Sequence, residues 1–170
     1  MKLEDYIKNV PNFPEAGIQF KDITPLLDNA EAFHEAIDEL SLWGKTLKVT
    51  KVMGPDARGF IFGCPIAYAL NVGFVPVRKP GKLPRKTISV SYNLEYGSNT
   101  LSIHEDALKK GDRVLIIDDL MATGGTVMAT IELCHKLGAE VVGVGVLIEL
   151  KDLNGRKLLK DYPFKALIQY

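Results

Sequence analysis

The sequence predicts an α/β fold: a central, mostly parallel β-sheet flanked by helices, with a β-hairpin beside it. Three observations carry this expectation. Val114–Ile117 and Val141–Ile148 are short, unbroken apolar runs of β-branched character, suited to strands buried on both faces. A helical segment, Thr126–Leu137, separates them, and buried strands alternating with helices pair in parallel. Between Thr87 and Ile103 the apolar pattern changes to strict alternation, which reads as an antiparallel hairpin.

The elements follow in chain order. Ala30, Phe33, Ile37 and Leu40 recur at helical spacing behind Asp28-Asn29, a pair suited to capping a helix N-terminus. Trp43, one turn beyond Leu40, is a packing residue of the same helix. Val49–Met53 reads as a strand that stops at Gly54-Pro55. Gly59–Val77 carries no charge over 19 residues, close to the length of a membrane span. Its Gly63, Pro65, Asn71, Gly73 and Pro76 break such a span, so it reads as a buried helix to about Leu70, a stop at Asn71-Val72-Gly73 and a strand, Phe74–Val77. In the hairpin, Ile88, Val90, Tyr92 and Leu94 alternate, as do Leu101 and Ile103, with Gly97-Ser98-Asn99 between the two strands. Gly138 ends the helix after Thr126.

Composition bounds the partners. The 170 residues suit a single domain, and 46% hydrophobic residues supply a core. Twenty-one basic and 21 acidic residues cancel, which argues against a nucleic-acid binder with a strong global field. The cancellation is local, however: residues 51–86 sum to +6 and residues 87–119 to −3. Cys64 and Cys134 are far apart, form no metal-binding or disulfide pattern, and read as buried, reduced thiols. His34, His104 and His135 lack metal spacing and read as surface or packing residues. Met1-Lys2-Leu3-Glu4-Asp5-Tyr6 has no apolar signal core, so a cytoplasmic protein without membrane attachment is expected.

The chemistry concentrates in Val114–Thr126. A buried strand delivers Asp118 and Asp119 to the sheet's ligand edge, and the small-residue loop Ala122-Thr123-Gly124-Gly125-Thr126 then enters a helix. Such a loop offers backbone N–H groups, two hydroxyls and a helix N-terminus to an anion. The two carboxylates repel phosphate and suit hydroxyl donors or a cation. Together they ask for a phosphate and a diol a short distance apart, as in a ribose 5-phosphate. Neither GxxxxGK[ST] nor GxGxxG is present.

This stretch resembles the phosphoribosyl pyrophosphate (PRPP) signature of type I phosphoribosyltransferases. The likeness extends over nearly the whole chain through Phe13-Pro14, Gly17-Ile18, Phe20–Pro25, Ala57-Arg58-Gly59-Phe60, Val77–Pro84, Tyr92, Leu94-Glu95-Tyr96-Gly97 and Pro163-Phe164. Arg78-Lys79-Pro80-Gly81-Lys82-Leu83-Pro84 and Leu94–Gly97 narrow it to the adenine-specific branch of that family.

The resemblance implies one phosphoribosyltransferase domain over residues 1–170, with residues 1–30 as a hood and 78–103 as a flexible lid. It implies that adenine and PRPP give AMP and pyrophosphate, with Mg²⁺ held mainly by PRPP oxygens and waters rather than by firm protein ligands. Ala122, Thr123, Gly124, Gly125 and Thr126 would hold the 5-phosphate, and Asp118 and Asp119 would face the ribose hydroxyls. Arg58, Arg78, Lys79 and Lys82 would surround pyrophosphate, with Arg58 also near the base. Arg85 and Lys86 read as a solvated face. A cis peptide near Asp56-Ala57 is implied, and Asp56 also reads as a helix cap. Phe20 would stack on adenine while the backbone of Gln19 and Lys21 reads its edge. Glu95 would be the acid/base near the purine and Tyr96 its neighbour in the lid. A basic residue of the lid reaching a neighbouring site implies a homodimer.

Three substitutions depart from the family pattern: Lys21 for a commoner Arg, Arg85 for a small residue, and Asn93 for Asp. Two other functional readings compete. A transferase for a 6-oxo purine would share the diacid loop. A PRPP-sensing regulator would need a DNA-binding appendage, for which the first 30 residues are too short and too acidic. A purely structural oligomerisation domain has only the bland composition in its favour.

Overall fold

Val52 and Met53 are neighbours in sequence and fully buried, yet they belong to different cores. The same alternation recurs at Val114, Leu115, Ile116 and Ile117, so the sheet is covered on both faces. The computed structural model describes residues 1–94 and 96–170.

Among the described residues, the chain begins with a short antiparallel ribbon of β1 (Lys8–Pro11) and β2 (Gln19–Asp22). Helices α1 (Thr24–Asp28) and α2 (Ala30–Lys45) follow. Then come β3 (Lys51–Pro55), α3 (Arg58–Leu70) and β4 (Gly73–Val77). Strands β5 (Thr87–Asn93) and β6 (Ser98–His104) form the hairpin, and β7 (Arg113–Met121), α4 (Gly125–Lys136), β8 (Glu140–Glu149) and β9 (Phe164–Gln169) complete the fold. The main sheet has five strands in the order β4-β3-β7-β8-β9, all parallel. The expected α/β architecture is therefore present.

Local chemistry explains the boundaries. Asn29 caps α2 by accepting a hydrogen bond from the Ala32 N–H at 2.9 Å. Helix α3 ends where Asn71 takes a left-handed conformation, φ 57°. Gly143 and Gly145 of β8 let α2 lie close: a Cβ on Gly143 would fall 3.1 Å from the Trp43 ring. Trp43 is thus a packing residue, as expected.

Four expectations change in detail. Strand β7 runs on to Met121, so Asp118 and Asp119 lie within the strand rather than beyond it. Ser98 and Asn99 already belong to β6, paired with Asn93 and Tyr92, so the hairpin turns earlier than Gly97-Ser98-Asn99. Cys64 is exposed on α3, because it falls on the helix face turned away from the sheet; Cys134 is buried, and burial pushes its thiol up to about 12. Asp56 does not cap α3, whose N-cap is Ala57 without a side-chain cap bond; its carboxylate instead accepts from Arg78 Nε at 2.9 Å. No helix among the described residues is long and apolar enough to cross a membrane.

Candidate active site

Strand order reverses between β3 and β7, and the crevice beyond their carboxyl ends is where open parallel sheets bind ligands. A cleft of about 430 Å³ opens there. Its floor is Asp118–Val127, one wall is Pro55–Arg58 together with Lys79, and the other is hairpin residues Tyr92, Leu94, Asn99 and Leu101. Asp118, Asp119, Ala122, Thr123, Gly124, Gly125 and Thr126, expected from sequence, all line it.

Close backbone packing shapes this floor. Gly124 has φ 94°, which favours glycine, and turns the chain into α4. Gly155 supports the loop from behind: a Cβ there would lie 2.6 Å from the Ala122 carbonyl oxygen and 3.2 Å from Gly124 N. The segment carrying Gly155 is held in turn by the buried Glu149 carboxylate. That carboxylate accepts from Arg156 Nε at 3.0 Å, Arg156 Nη2 at 2.8 Å and Gln169 Nε2 at 3.0 Å. The Arg156 hydrogen bonds hold the Glu149 carboxyl below its ordinary range.

The diacid is electrostatically asymmetric. Asp119 is 4% exposed, with Oδ2 2.9 Å from Arg58 Nε. This is an ion pair without hydrogen-bond alignment, so Oδ2 remains a buried acceptor with no donor aimed at it among the described residues. Asp118 Oδ1 accepts from the Asp119 N–H at 2.8 Å. Burial, then the neighbouring Asp119 charge, push the Asp118 carboxyl well above the usual carboxylate range.

Arg58 also joins the floor to the N-terminal ribbon, its guanidinium carbon 5.4 Å from the Phe20 ring centroid. Phe20 in turn meets Phe13 edge to face, 5.2 Å between centroids. Gln19 and Lys21 share β2, and both engage Asn9: Asn9 Nδ2 donates to Gln19 Oε1 at 2.7 Å, and Lys21 Nζ donates to Asn9 Oδ1 at 3.0 Å. Among the described residues, strand β2 is paired on one edge only, which leaves backbone groups open along the other.

The expected basic residues divide. Arg58 and Lys79 line the cleft, whereas Arg78 stands back, bound to Asp56 and donating to the Lys82 carbonyl at 3.2 Å. Lys82 and Tyr96 are exposed and lie outside the cleft lining. Arg85 pairs with Asp106 at 2.7 Å, both groups exposed. The Asp56–Ala57 peptide is cis, as the resemblance implied. Glu95, the expected acid/base, lies outside the described residues.

A phosphoribosyl transferase domain model matches residues 19–169. The adenine phosphoribosyltransferase of Oenococcus oeni is 54% identical over 171 residues, covering 99% of this chain and 98% of the relative. The chain belongs to the adenine phosphoribosyltransferases. The solved family member from Thermoanaerobacter pseudethanolicus superposes with a TM-score of 0.95 at 49% identity, covering 99% of this chain and 98% of that one. The Saccharomyces cerevisiae adenine phosphoribosyltransferase, solved with an imino-altritol bisphosphate and adenine, gives a TM-score of 0.92 at 39% identity, covering 97% and 96%.

Within this adenine phosphoribosyltransferase fold, several cleft residues carried no sequence signal of a site. Asn99 and Leu101 were legible only as hairpin residues and reach the cleft through hairpin pairing, and Tyr92 was marked by hairpin alternation and by family likeness. The Gly155–Arg156 support comes from another part of the chain, and no local motif announces it.

Proposed function

We infer that this enzyme transfers the 5-phosphoribosyl group of PRPP to adenine, forming AMP and releasing pyrophosphate. The observation that carries the reading is the single cleft in which the diacid and the Thr123–Thr126 loop face Arg58 and Lys79. A phosphate, a diol and a second anionic group fit that order of donors, acceptors and cations.

In this reading the loop from Ala122 to Thr126 holds the 5-phosphate with backbone N–H groups and hydroxyls. Asp119 Oδ2, ion-paired with Arg58 but accepting no hydrogen bond, and the Asp118 carboxyl take the ribose hydroxyls, since a buried acceptor gains most from a donor it otherwise lacks. Arg58 and Lys79 draw charge from the departing pyrophosphate, and Arg78 and Lys82 join them when the 78–103 lid closes. Breaking the ribose C1–O bond develops positive charge on the sugar and negative charge on the leaving group. Preorganised charges and exclusion of water then lower the barrier.

Phe20 stacks on adenine, and the open edge of β2 at Gln19 and Lys21 reads the base. A backbone carbonyl accepts from the 6-amino group and meets a 6-oxo purine acceptor to acceptor, which sets specificity. Glu95 supplies or removes the purine proton, with Tyr96 beside it in the lid.

Phosphoribosyltransferases use Mg²⁺ with PRPP. No cluster of three or more His, Cys, Asp or Glu side chains is poised to hold a metal among the described residues. The available donors are the hard oxygens of Asp118 and Asp119, which fit a Mg²⁺ that keeps waters and substrate oxygens. A Mg²⁺ held there by substrate oxygens and waters beside Asp118 and Asp119 would neutralise diphosphate charge.

We place the enzyme in the cytoplasm as a homodimer. Lys82 and Tyr96 are exposed and outside the lining of their own cleft, and the outward face of α3 exposes Cys64 and Tyr68, the latter 89% exposed.

A panel of bases with PRPP and Mg²⁺ tests the specificity. Adenine should give AMP, and guanine and hypoxanthine should give negligible nucleotide. Preferred turnover of either oxo-purine would overturn the base assignment.

A further inference from the structure

Tyr92 spans the gap between the hairpin and the phosphate loop. Its Oη lies 3.0 Å from Thr126 Oγ1, and its ring packs so close to Gly125 that a Cβ there would come within 3.1 Å. Across the hairpin, Asn99 is its register partner, and Asn99 Nδ2 donates to Tyr92 Oη at 3.4 Å. The ring also separates the active cleft from a second groove lined by Val90, Met128, Ile131 and Tyr162.

Donor counting allows this chain the direction Asn99 to Tyr92 to Thr126. An amide nitrogen only donates, so Asn99 takes one acceptor position of the phenol oxygen. The single phenolic proton can then go to Thr126 Oγ1, in a pair where either oxygen can donate. A Thr126 hydroxyl that accepts it keeps its own proton to donate elsewhere, and this hydroxyl stands at the mouth of α4, within the cleft lining.

We propose that Tyr92 is a positioning residue: it orders the hydrogen bonds so that the Thr126 hydroxyl faces the 5-phosphate as a donor. This rests on the reading that the Thr123–Thr126 loop takes that phosphate. The same contact ties the hairpin to the loop, so phosphate binding and hairpin placement are coupled through one hydroxyl pair. The ring against Gly125 limits the space in which the phenol can turn away.

The test is calorimetric binding of AMP, which carries the 5-phosphate, and of adenosine, which lacks it. Wild type, Tyr92→Phe, Thr126→Val, Thr126→Ser and the Tyr92→Phe/Thr126→Val double variant are compared. Tyr92→Phe keeps the ring and should melt close to wild type, yet weaken AMP about 2–10-fold, the scale of one neutral side-chain hydrogen bond. Adenosine binding should stay within about two-fold of wild type, because the lost bond serves the phosphate alone. Thr126→Ser keeps the hydroxyl and should keep the AMP affinity. The double variant should be no weaker than Thr126→Val, because Tyr92 acts through Thr126. Wild-type AMP affinity in Tyr92→Phe, or losses that multiply in the double variant, would overturn the role of Tyr92 alone. Wild-type affinity in Thr126→Val would instead overturn the phosphate reading, and the proposal with it.

Discussion

Arg58 holds its Nε 2.9 Å from Asp119 Oδ2 while its guanidinium carbon lies 5.4 Å from the Phe20 ring centroid. One side chain at the start of α3 thus links the diacid, the open cleft and the N-terminal ribbon. Arg58 is 45% exposed in its side chain, so the pair with Asp119 contributes little to stability by itself. Its value lies in what the cation faces when substrate is bound.

Arg58→Ala should lower kcat/KM by about 10–150-fold, the equivalent of one charge-assisted contact to phosphate oxygen. Thermal stability should change little. Steady-state kinetics with PRPP varied at saturating adenine checks the first point, and a melting curve checks the second.

Asp118→Asn should stabilise the ligand-free protein at neutral pH and weaken PRPP. The Asp118 carboxyl titrates above its unfolded range because burial and Asp119 oppose its charge. A group raised in this way favours the folded state when protonated, and that contribution is lost as pH rises through the folded-state value. The melting temperature of Asp118→Asn should therefore exceed wild type near pH 7, with the gap closing at acid pH. A constant gap across pH would contradict the assigned cause.

Gly155→Ala should raise the KM for PRPP and leave the KM for adenine nearly unchanged. The added Cβ would meet two backbone atoms, the Ala122 carbonyl oxygen at 2.6 Å and Gly124 N at 3.2 Å. Relief requires the phosphate loop to move, at a cost of about 1–3 kcal/mol. Initial-rate kinetics with each substrate varied in turn separates the two constants.

Glu149→Gln should flatten the acid side of the stability profile. Hydrogen bonds from Arg156, then Gln169, depress the Glu149 carboxyl, so its contribution is present above its unfolded range and fades as pH falls through the folded-state value. Wild type should thus lose more stability than the variant on acidification, measured by urea unfolding at several pH values.

Much of this site was legible in sequence because it is local. The apolar run into Asp118-Asp119, the small-residue loop and the start of α4 are contiguous, and strand, turn and helix signals follow one another there. Asn71 at the end of α3 was legible for the same reason. Strand β9 was not: Phe164–Gln169 is only partly buried, without strict alternation, and pairing with β8 defines it. Tyr92 with Thr126, Arg78 with Asp56, and Gly155 behind Ala122 are contacts between distant segments. No residue pattern records them, because each partner would read the same without the other. The exposure of Cys64 was missed because helix α3 is apolar on nearly every side, which hides its outward face from periodicity.

The central claim is that the Asp118–Thr126 cleft with Arg58 transfers phosphoribosyl to adenine, and AMP formation by Asp119→Asn beside wild type tests it most directly. With adenine, PRPP and Mg²⁺, wild type should form AMP and release pyrophosphate. The variant should fold alike and lose about 10-fold or more of kcat/KM, since it alters the buried acceptor proposed to take a ribose hydroxyl. Equal rates in the two proteins would contradict the assignment.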